Sequence, residues 1–412
     1  MPVSTNDNPA PDPIVPSAER LADTSAQTLR ELGQANRLRQ LQAVEPQGRT
    51  VRMDGRELLN LASNDYLGLS QHPKLIQAAV QATQRYGVGS GASRLVSGTH
   101  PIHEEVEQRF AKFKHAEAAL LLATGYTANL AVLTTLAGSG DLIVMDKLVH
   151  ASLIDAARAS DAQLRTFPHL DLQRAEQLMQ RHPTGRRFLV TDSVFSMDGD
   201  CADLPALCEL ADHYDASLII DEAHGTGVLG PDGSGLASAQ GVAERIYTCG
   251  TGGIVVSTAS KALGSLGGII TAAKPIIDLI INKARPFIYS TAVPPAQVAA
   301  IGAALDVIRD EPERRERLAH LGSRLRQSLR EAGWPIIDST QPTPIVPLIV
   351  GDERTGLQLQ AKLLDAGIFA PAIRPPTVAP GQCRVRLSLR TDLADNEIDR
   401  LINAVGLPAH VT

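Results

Sequence analysis

From residue 118 to residue 273 the chain repeats one pattern: a short, continuously apolar run, a polar residue at or just past its end, then a helical stretch. The strand-like runs are 118–123, 142–145, 188–192, 217–221 and 268–273. Runs that do not alternate with polar residues suit strands covered on both faces, and helices between them suit the crossovers of a parallel sheet. Ligands of such sheets bind beyond the carboxyl ends of the strands, which is where the polar residues fall. The expected fold class is α/β, with a large, mostly parallel sheet domain over 61–305 and a smaller α+β domain over 306–412. Residues 1–60 read as a leader followed by a helical and hairpin segment.

Within that first segment, the proline-rich stretch up to Ala18 has the composition of a disordered leader. Leucines recurring among Arg, Glu and Gln predict a helix over 18–43, and Asp54-Gly55 predicts the turn of a hairpin over 49–61. Helices are expected over 72–86, with Pro73 in the first turn, and over 101–114. The Gly/Ser-rich loop GVGSGASRLVSGTH lies between them. Beyond YSTAVPPA a helix runs to about residue 311, and strands are expected at 344–350 and 384–389.

Composition removes several functions. A net charge of −6 and an aromatic content of 3% offer neither the basic patches nor the stacking rings of a nucleic-acid surface. No apolar run approaches the roughly 18 residues of a membrane span, and the N-terminus lacks the apolar core of a signal peptide. Cys201, Cys208, Cys249 and Cys383 form no CxxC pair and no metal-ligand spacing, as expected of reduced core thiols in a cytoplasmic protein without a metal.

Three elements carry chemistry. In SLIIDEAHGTGVLG an apolar strand delivers Asp221 at its end, with His224 three residues on. Gly225 to Gly230 also spells GxGxxG, the fingerprint of a dinucleotide site, but that site needs a helix directly afterwards and PDGSG cannot start one. In STASKALGSLGG, Lys261 sits among small and apolar residues, where a poorly solvated ammonium loses its proton more readily and the amine becomes nucleophilic. A lysine snorkelling from a surface loop is the alternative. The third element is a set of donors after strand ends: Gly125-Tyr126-Thr127, able to open a helix onto a phosphate, the hydroxyls of Ser257 and Thr258, and His150. Pyridoxal phosphate accounts for all three elements together. It needs a lysine for a Schiff base, a carboxylate against the pyridine nitrogen, and donors for its phosphate and ring hydroxyl. Lys261, Asp221, His224, Ser196 and Thr258 can supply these, and the flat imidazole of His150 can stack on the ring.

The chain also resembles the α-oxoamine synthases, fold-type-I pyridoxal-phosphate enzymes. The stretches that carry the resemblance are SNDYLGLS (63–70), GSGASRLVSGTHPIHEEVE (89–107), ATGYTAN (123–129), SVFSMDGD (193–200), DEAHGTGVLG (221–230), TASKALGS (258–265), YSTAVPPA (289–296) and AIRPPTV (372–378). The resemblance implies that Lys261 is the cofactor lysine, Asp221 the partner of the pyridine nitrogen, and His224 with Ser196 the contacts of the ring hydroxyl. It implies that Gly125, Tyr126 and Thr258 hold the phosphate, that His150 stacks on the ring and touches substrate, and that Ser290 and Thr291 reach the phosphate of a neighbouring subunit in a homodimer. Asn64 and Arg386 are implied to hold the amino-acid carboxylate, Thr377 to line the acyl channel, and Arg39, with Arg37 as a near competitor, to meet substrate. The residue before Thr258 is Ser257, where relatives commonly carry glycine, while Thr258 and Lys261 keep their spacing.

The implied reaction joins an amino acid to an acyl thioester with loss of CO₂. RPPTV and SNDYLGL favour L-alanine and a pimeloyl thioester, carried on coenzyme A or acyl carrier protein, and a place in biotin biosynthesis. Glycine C-acetyltransferase, a sphingolipid-type synthase and an aminolevulinate synthase are the alternatives within the family. A nucleotide-binding module using GTGVLG, or a catalytically silent homologue, is the alternative outside it.

Overall fold

The computed structural model describes residues 17–181 and 184–408, so most of the expected leader lies outside the described residues. The first strands, β1 (Glu45–Gln47), β2 (Thr50–Met53) and β3 (Arg56–Asn60), form an antiparallel meander. The β2–β3 turn is the expected Asp54-Gly55 pair, with φ of 49° and 76°. Two consecutive positive φ values define the turn whose twist matches a two-residue hairpin.

Seven strands form the large sheet: β4 (Ala118–Leu122), β5 (Leu142–Asp146), β6 (Gln163–Phe167), β7 (Arg187–Asp192), β8 (Ala216–Asp221), β9 (Gly253–Thr258) and β10 (Gly268–Ala272). Their order is β4-β10-β9-β8-β7-β5-β6. Strands β5 to β9 are mutually parallel, and β10 alone runs against its neighbours β4 and β9. β4 therefore points the same way as β9, and six strands end at one edge. The chain steps outward from β5 to β6 and then back across β5 to β7, so the loops after β5 and β7 diverge and leave a crevice between them. Every residue of β5 and β9 is buried, as continuous apolar runs require.

Two of these strands, β6 and β9, were not among the expected runs. β6 is a sheet-edge strand with largely exposed side chains, so it carries no apolar run. β9 leads straight into the lysine loop. The expected helix over 18–43 is corrected to Ser17–Gln34. Asn36 takes φ 55° and the Arg37 N–H bonds back to the Leu32 carbonyl, a left-handed stop that amphipathic spacing does not register.

A third sheet, β11 (Ile345–Gly351), β14 (Cys383–Ser388) and the two-residue β13 (Ala372–Ile373), is covered by the helices Glu313–Glu331, Glu353–Asp365 and Asp395–Val405. The two-residue β12 (Ile368–Phe369) pairs with β3, stitching this region to the first strands. All four cysteines are buried and free, and no helix among the described residues is long and apolar enough to cross a membrane.

Candidate active site

The strand ends converge on a cavity of about 180 Å³ lined by Thr124, Gly125, Tyr126, Asn129, His150, Asp192, Asp221, Ala223, His224, Thr258, Ser260 and Lys261. Seven of the predicted site residues are therefore brought together: Gly125, Tyr126, His150, Asp221, His224, Thr258 and Lys261.

Asp221 ends β8 and is buried. Its side chain accepts from the Ala223 N–H at 2.9 Å and from Asn129 Nδ2 at 2.7 Å. The same Asn129 amide donates to Ser152 Oγ at 2.8 Å, and Ser152 Oγ lies 2.7 Å from His150 Nδ1. The orientation of His150, the N-cap of the helix Ala151–Arg158, is thus tied to Asp221 through two intermediates. Asp192, last residue of β7, is the register partner of Asp221. Its burial and the neighbouring Asp221 push its carboxyl well above the usual carboxylate range.

Lys261 sits in the short loop joining β9 to β10. The loop is pinned at its base by Thr258, whose hydroxyl donates to the Gly267 carbonyl at 2.9 Å, and by the Ala259 N–H on the same carbonyl at 2.8 Å. Gly268 opens β10 where a side chain is impossible: a Cβ there would stand 2.2 Å from the Thr124 carbonyl oxygen. That close approach sets the lysine loop beside the N-terminus of the helix Gly125–Leu136. Thr124 caps this helix, its hydroxyl accepting from the Thr127 N–H at 3.1 Å, which leaves the first-turn N–H groups facing the cavity. Lys261 Nζ lies 2.8 Å from His224 Nε2. Burial lowers the pKa of this amine to about 8, against the opposing pull of Asp221. Burial likewise holds His224 well below its ordinary value, so its imidazole is neutral.

On its other nitrogen, His224 Nδ1 lies 2.7 Å from the Tyr66 hydroxyl. Arg386, on β14, reaches Tyr66 Oη at 3.2 Å and Asn64 Oδ1 at 3.0 Å. Its Nε is buried with no partner, an arrangement that suits an incoming carboxylate. The turn holding His224 is anchored from below by Lys114, which pairs with buried Glu222 and the Ser234 carbonyl. Gly225–Gly230 continues as turns into the four-residue helix Leu236–Ala239, so the GxGxxG segment presents no long helix to a dinucleotide.

The other predicted residues lie apart from this cavity. Ser196 is half-buried in the turn after β7. Ser290 and Thr291 sit beside Arg94, Leu122 and Val293 in a separate crevice. Thr377 is exposed, its N–H on the Arg374 carbonyl at 3.1 Å. Arg39 donates to the Arg374 and Pro375 carbonyls at 3.4 and 3.2 Å, the turn that carries Thr377, whereas Arg37 pairs with Glu353 at 2.7 Å. Sequence reasoning did not single out Asp192, Asn129, Ser152 or Tyr66. Asp192 carries the same strand-end signal as Asp221, and Asn129 and Tyr66 stand inside stretches quoted above.

His169 stands outside the cavity and ties two of its loops. Its Nδ1 is 3.1 Å from both oxygens of Asp146, at the end of β5, and its Nε2 is 2.8 Å from Asp200 in the turn after Ser196. Its ring meets Phe195 edge-on, with centroids 4.3 Å apart. Burial opposes the charged form, but the two carboxylates prevail and raise its pKa to about 9. Because the folded value exceeds the unfolded one, this stabilisation is complete below about pH 6.5, declines as pH rises and is gone above about pH 9. The shift corresponds to roughly 3 kcal/mol. We expect His169→Asn to lower the urea-unfolding midpoint of the cofactor-free protein near pH 6, with the gap to wild type closing near pH 10. A gap that does not change with pH would mean that His169 acts through packing alone.

The aminotransferase class I and II family model matches residues 56–405. The 8-amino-7-oxononanoate synthase of Geobacter sulfurreducens is 44% identical over 384 residues, covering 92% of this chain and 95% of that one. Among solved structures, a serine palmitoyltransferase from S. paucimobilis with a bound PLP–myriocin aldimine superimposes with a TM-score of 0.87 at 26% identity, over 94% of this chain and 96% of that one. The 8-amino-7-oxononanoate synthase of Francisella tularensis gives a TM-score of 0.73 at 29% identity, over 84% and 96%.

Proposed function

The chain belongs to the aminotransferase class I and II family, within it to the group of the 8-amino-7-oxononanoate synthases, and from that premise we propose that it condenses L-alanine with a pimeloyl thioester, releasing CO₂ and the free thiol, to give 8-amino-7-oxononanoate for biotin. The observation that carries this reading is that Lys261, Asp221 and the open N-terminus of the helix Gly125–Leu136 line one cavity, with the unpartnered Arg386 Nε held nearby through Tyr66 and His224. Identity favours this reaction over that of serine palmitoyltransferase, 44% against 26%, although both share the fold.

The cofactor is pyridoxal phosphate, and the donor set fits it: an amine of lowered pKa, a strand-end acid for the ring nitrogen, and a helix N-terminus with threonine hydroxyls for the phosphate. When bound, it supplies an electron sink for the charge that develops on the amino acid's α-carbon. Lys261 would hold it, and the free Nζ of Lys261 would take the amino acid's α-proton. A pKa of about 8 keeps a usable fraction of that amine neutral near neutral pH. Asp221, its orientation fixed by Asn129 and Ala223, holds a proton on the ring nitrogen. His224, with Ser196, faces the ring hydroxyl, and His150 covers the ring face. Gly125, Tyr126 and Thr258 hold the phosphate. Arg386 and Asn64 grip the alanine carboxylate, and Arg39 and Thr377, gathered at one turn, line the acyl channel.

The working form is a homodimer in which Ser290 and Thr291 serve the partner's phosphate. Their place in a separate crevice supports that role, as do the exposed apolar side chains of Tyr289 and of Val88, Leu95 and Val96 in the loop that Ser93 bridges to Thr291. Four reduced, buried thiols suit the cytoplasm.

The test is a rate matrix of alanine and glycine against pimeloyl, acetyl and succinyl thioesters, with coenzyme A and acyl-carrier-protein forms side by side. We expect alanine to exceed glycine by about tenfold or more, the range a single methyl group commands in an apolar pocket. Faster turnover of glycine with acetyl-CoA would instead assign the chain to glycine C-acetyltransferase.

A further inference from the structure

We propose that Tyr66 is a positioning residue that couples the carboxylate grip of Arg386 and Asn64 to the protonation of Lys261, by setting which nitrogen of His224 carries the proton. The inference rests on the reading above that Arg386 and Asn64 take the amino-acid carboxylate.

Five polar groups form one continuous chain. Lys261 Nζ is 2.8 Å from His224 Nε2, and His224 Nδ1 is 2.7 Å from Tyr66 Oη. Tyr66 Oη is 3.2 Å from both Arg386 Nη2 and Asn64 Oδ1. Tyr66 is wholly buried, its N–H on the Asn64 carbonyl and its own carbonyl accepting from the Thr391 N–H, both at 2.8 Å. The Tyr66 hydroxyl is therefore shielded from water.

Counting protons fixes the consequence. Arg386 can only donate, so one lone pair of Tyr66 Oη is committed to it. The single Tyr66 proton then has two possible acceptors, His224 Nδ1 and Asn64 Oδ1. When Lys261 is an ammonium it donates to His224 Nε2. The imidazole is neutral, so its proton sits on Nδ1 and points at Tyr66 Oη, and the Tyr66 O–H turns to Asn64. When Lys261 is a free amine, His224 donates from Nε2, Nδ1 accepts from Tyr66, and Asn64 keeps only its bond from Arg386. One proton change at Lys261 thus reverses the Lys261–His224 and His224–Tyr66 hydrogen bonds and makes or breaks the Tyr66–Asn64 bond beside the carboxylate grip.

Reciprocity gives the coupling a direction. A carboxylate held side-on by Arg386 Nε and Nη2 draws Nη2 away from Tyr66. The Tyr66 oxygen then needs a donor, which favours the His224 form with its proton on Nδ1. In the cofactor-free protein that form presents a bare Nε2 to Lys261 and makes the amine a better proton acceptor. The other groups facing Lys261 and His224 are Asp221, Asp192 and His150, and the Tyr66 hydroxyl bonds instead to His224, Asn64 and Arg386.

The test uses full-length protein labelled with ¹⁵N-histidine, first without cofactor, so that the readout does not depend on turnover. In wild type, the His224 tautomer should switch as pH rises through the titration of Lys261. In Lys261→Ala the switch should be absent, and in Tyr66→Phe, which keeps the ring, it should be lost or displaced. In cofactor-loaded enzyme, Tyr66→Phe should lower kcat about tenfold, shift the pH profile of kcat and change the KM for L-alanine by less than about threefold. A wild-type tautomer that does not change with pH, or a Tyr66→Phe enzyme with the wild-type pH profile, would overturn the relay. If Tyr66→Phe does not fold, saturating wild type with acetate, which supplies the carboxylate to Arg386, should move the His224 switch to higher pH, and an unmoved switch would overturn the relay. If the tautomer switches as described but no oxononanoate forms, the relay stands and the assigned reaction fails.

Discussion

Lys261→Ala leaves a folded protein that turns over at least about 10⁴-fold more slowly, the loss seen when a group that works as a unit with its neighbours is removed. The reason lies in geometry as well as chemistry. Among the described residues Lys261 is the one amine lining the cavity. Its loop is fixed at Thr258, Ala259 and Gly268 and carries no second lysine. Two measurements check this. The visible absorbance of the lysine-bound cofactor should be missing from the variant, and the single-turnover rate with alanine and pimeloyl-CoA should collapse while the circular dichroism spectrum stays that of wild type. A variant that keeps the wild-type absorbance band would remove Lys261 from its role.

Asp221→Asn should cost roughly 10²–10³-fold in kcat, the range for deleting one preorganised electrostatic partner of a reacting group. The substitution preserves size but leaves one acceptor where Asp221 uses both oxygens, so the new side chain keeps either the Asn129 or the Ala223 hydrogen bond and loses the other. It removes the charge that protonates the ring nitrogen, and with it the electron sink. Asp221 also opposes the fall of the Lys261 pKa and contributes to the rise of the Asp192 pKa. Removing it should therefore move both groups downward, and the acidic limb of the pH–rate profile should shift to lower pH. Cofactor affinity by equilibrium titration should weaken in parallel. A loss below about tenfold, with an unmoved pH profile, would show that another group holds the ring.

Much of this site could be read from sequence because strand ends in a parallel sheet are where side chains become available to a ligand. Asp221 and the helix opening at Gly125 announced themselves in that way, and Asp192 did so equally in FLVTD without being picked out. Lys261 was legible through its small neighbours. Asn129 was not, since nothing in helical spacing says that the second turn of one helix faces the end of a strand 92 residues later. Tyr66 and His169 depend on partners far along the chain, and a lone tyrosine or histidine gives no hint of two or three simultaneous hydrogen bonds. The fold followed the same rule. Most buried strands betrayed themselves by apolar runs, although buried β9, which runs straight into the polar lysine loop, did not, and the solvent-facing edge strand β6 and the left-handed stop at Asn36 rest on local geometry that composition does not encode.

Arg386 belongs to β14, while Asp221 ends β8 and Lys261 sits in the loop between β9 and β10 of the seven-stranded sheet. The two layers meet through Tyr66 and His224, so selection for a different amino acid can act on the first layer provided that link is kept. Libraries confined to β14 and the turn at 63–66, with Asn64, Tyr66 and Arg386 retained, should yield variants with altered side-chain preference that still take up cofactor normally. A lineage can change its diet in this way without relearning its chemistry.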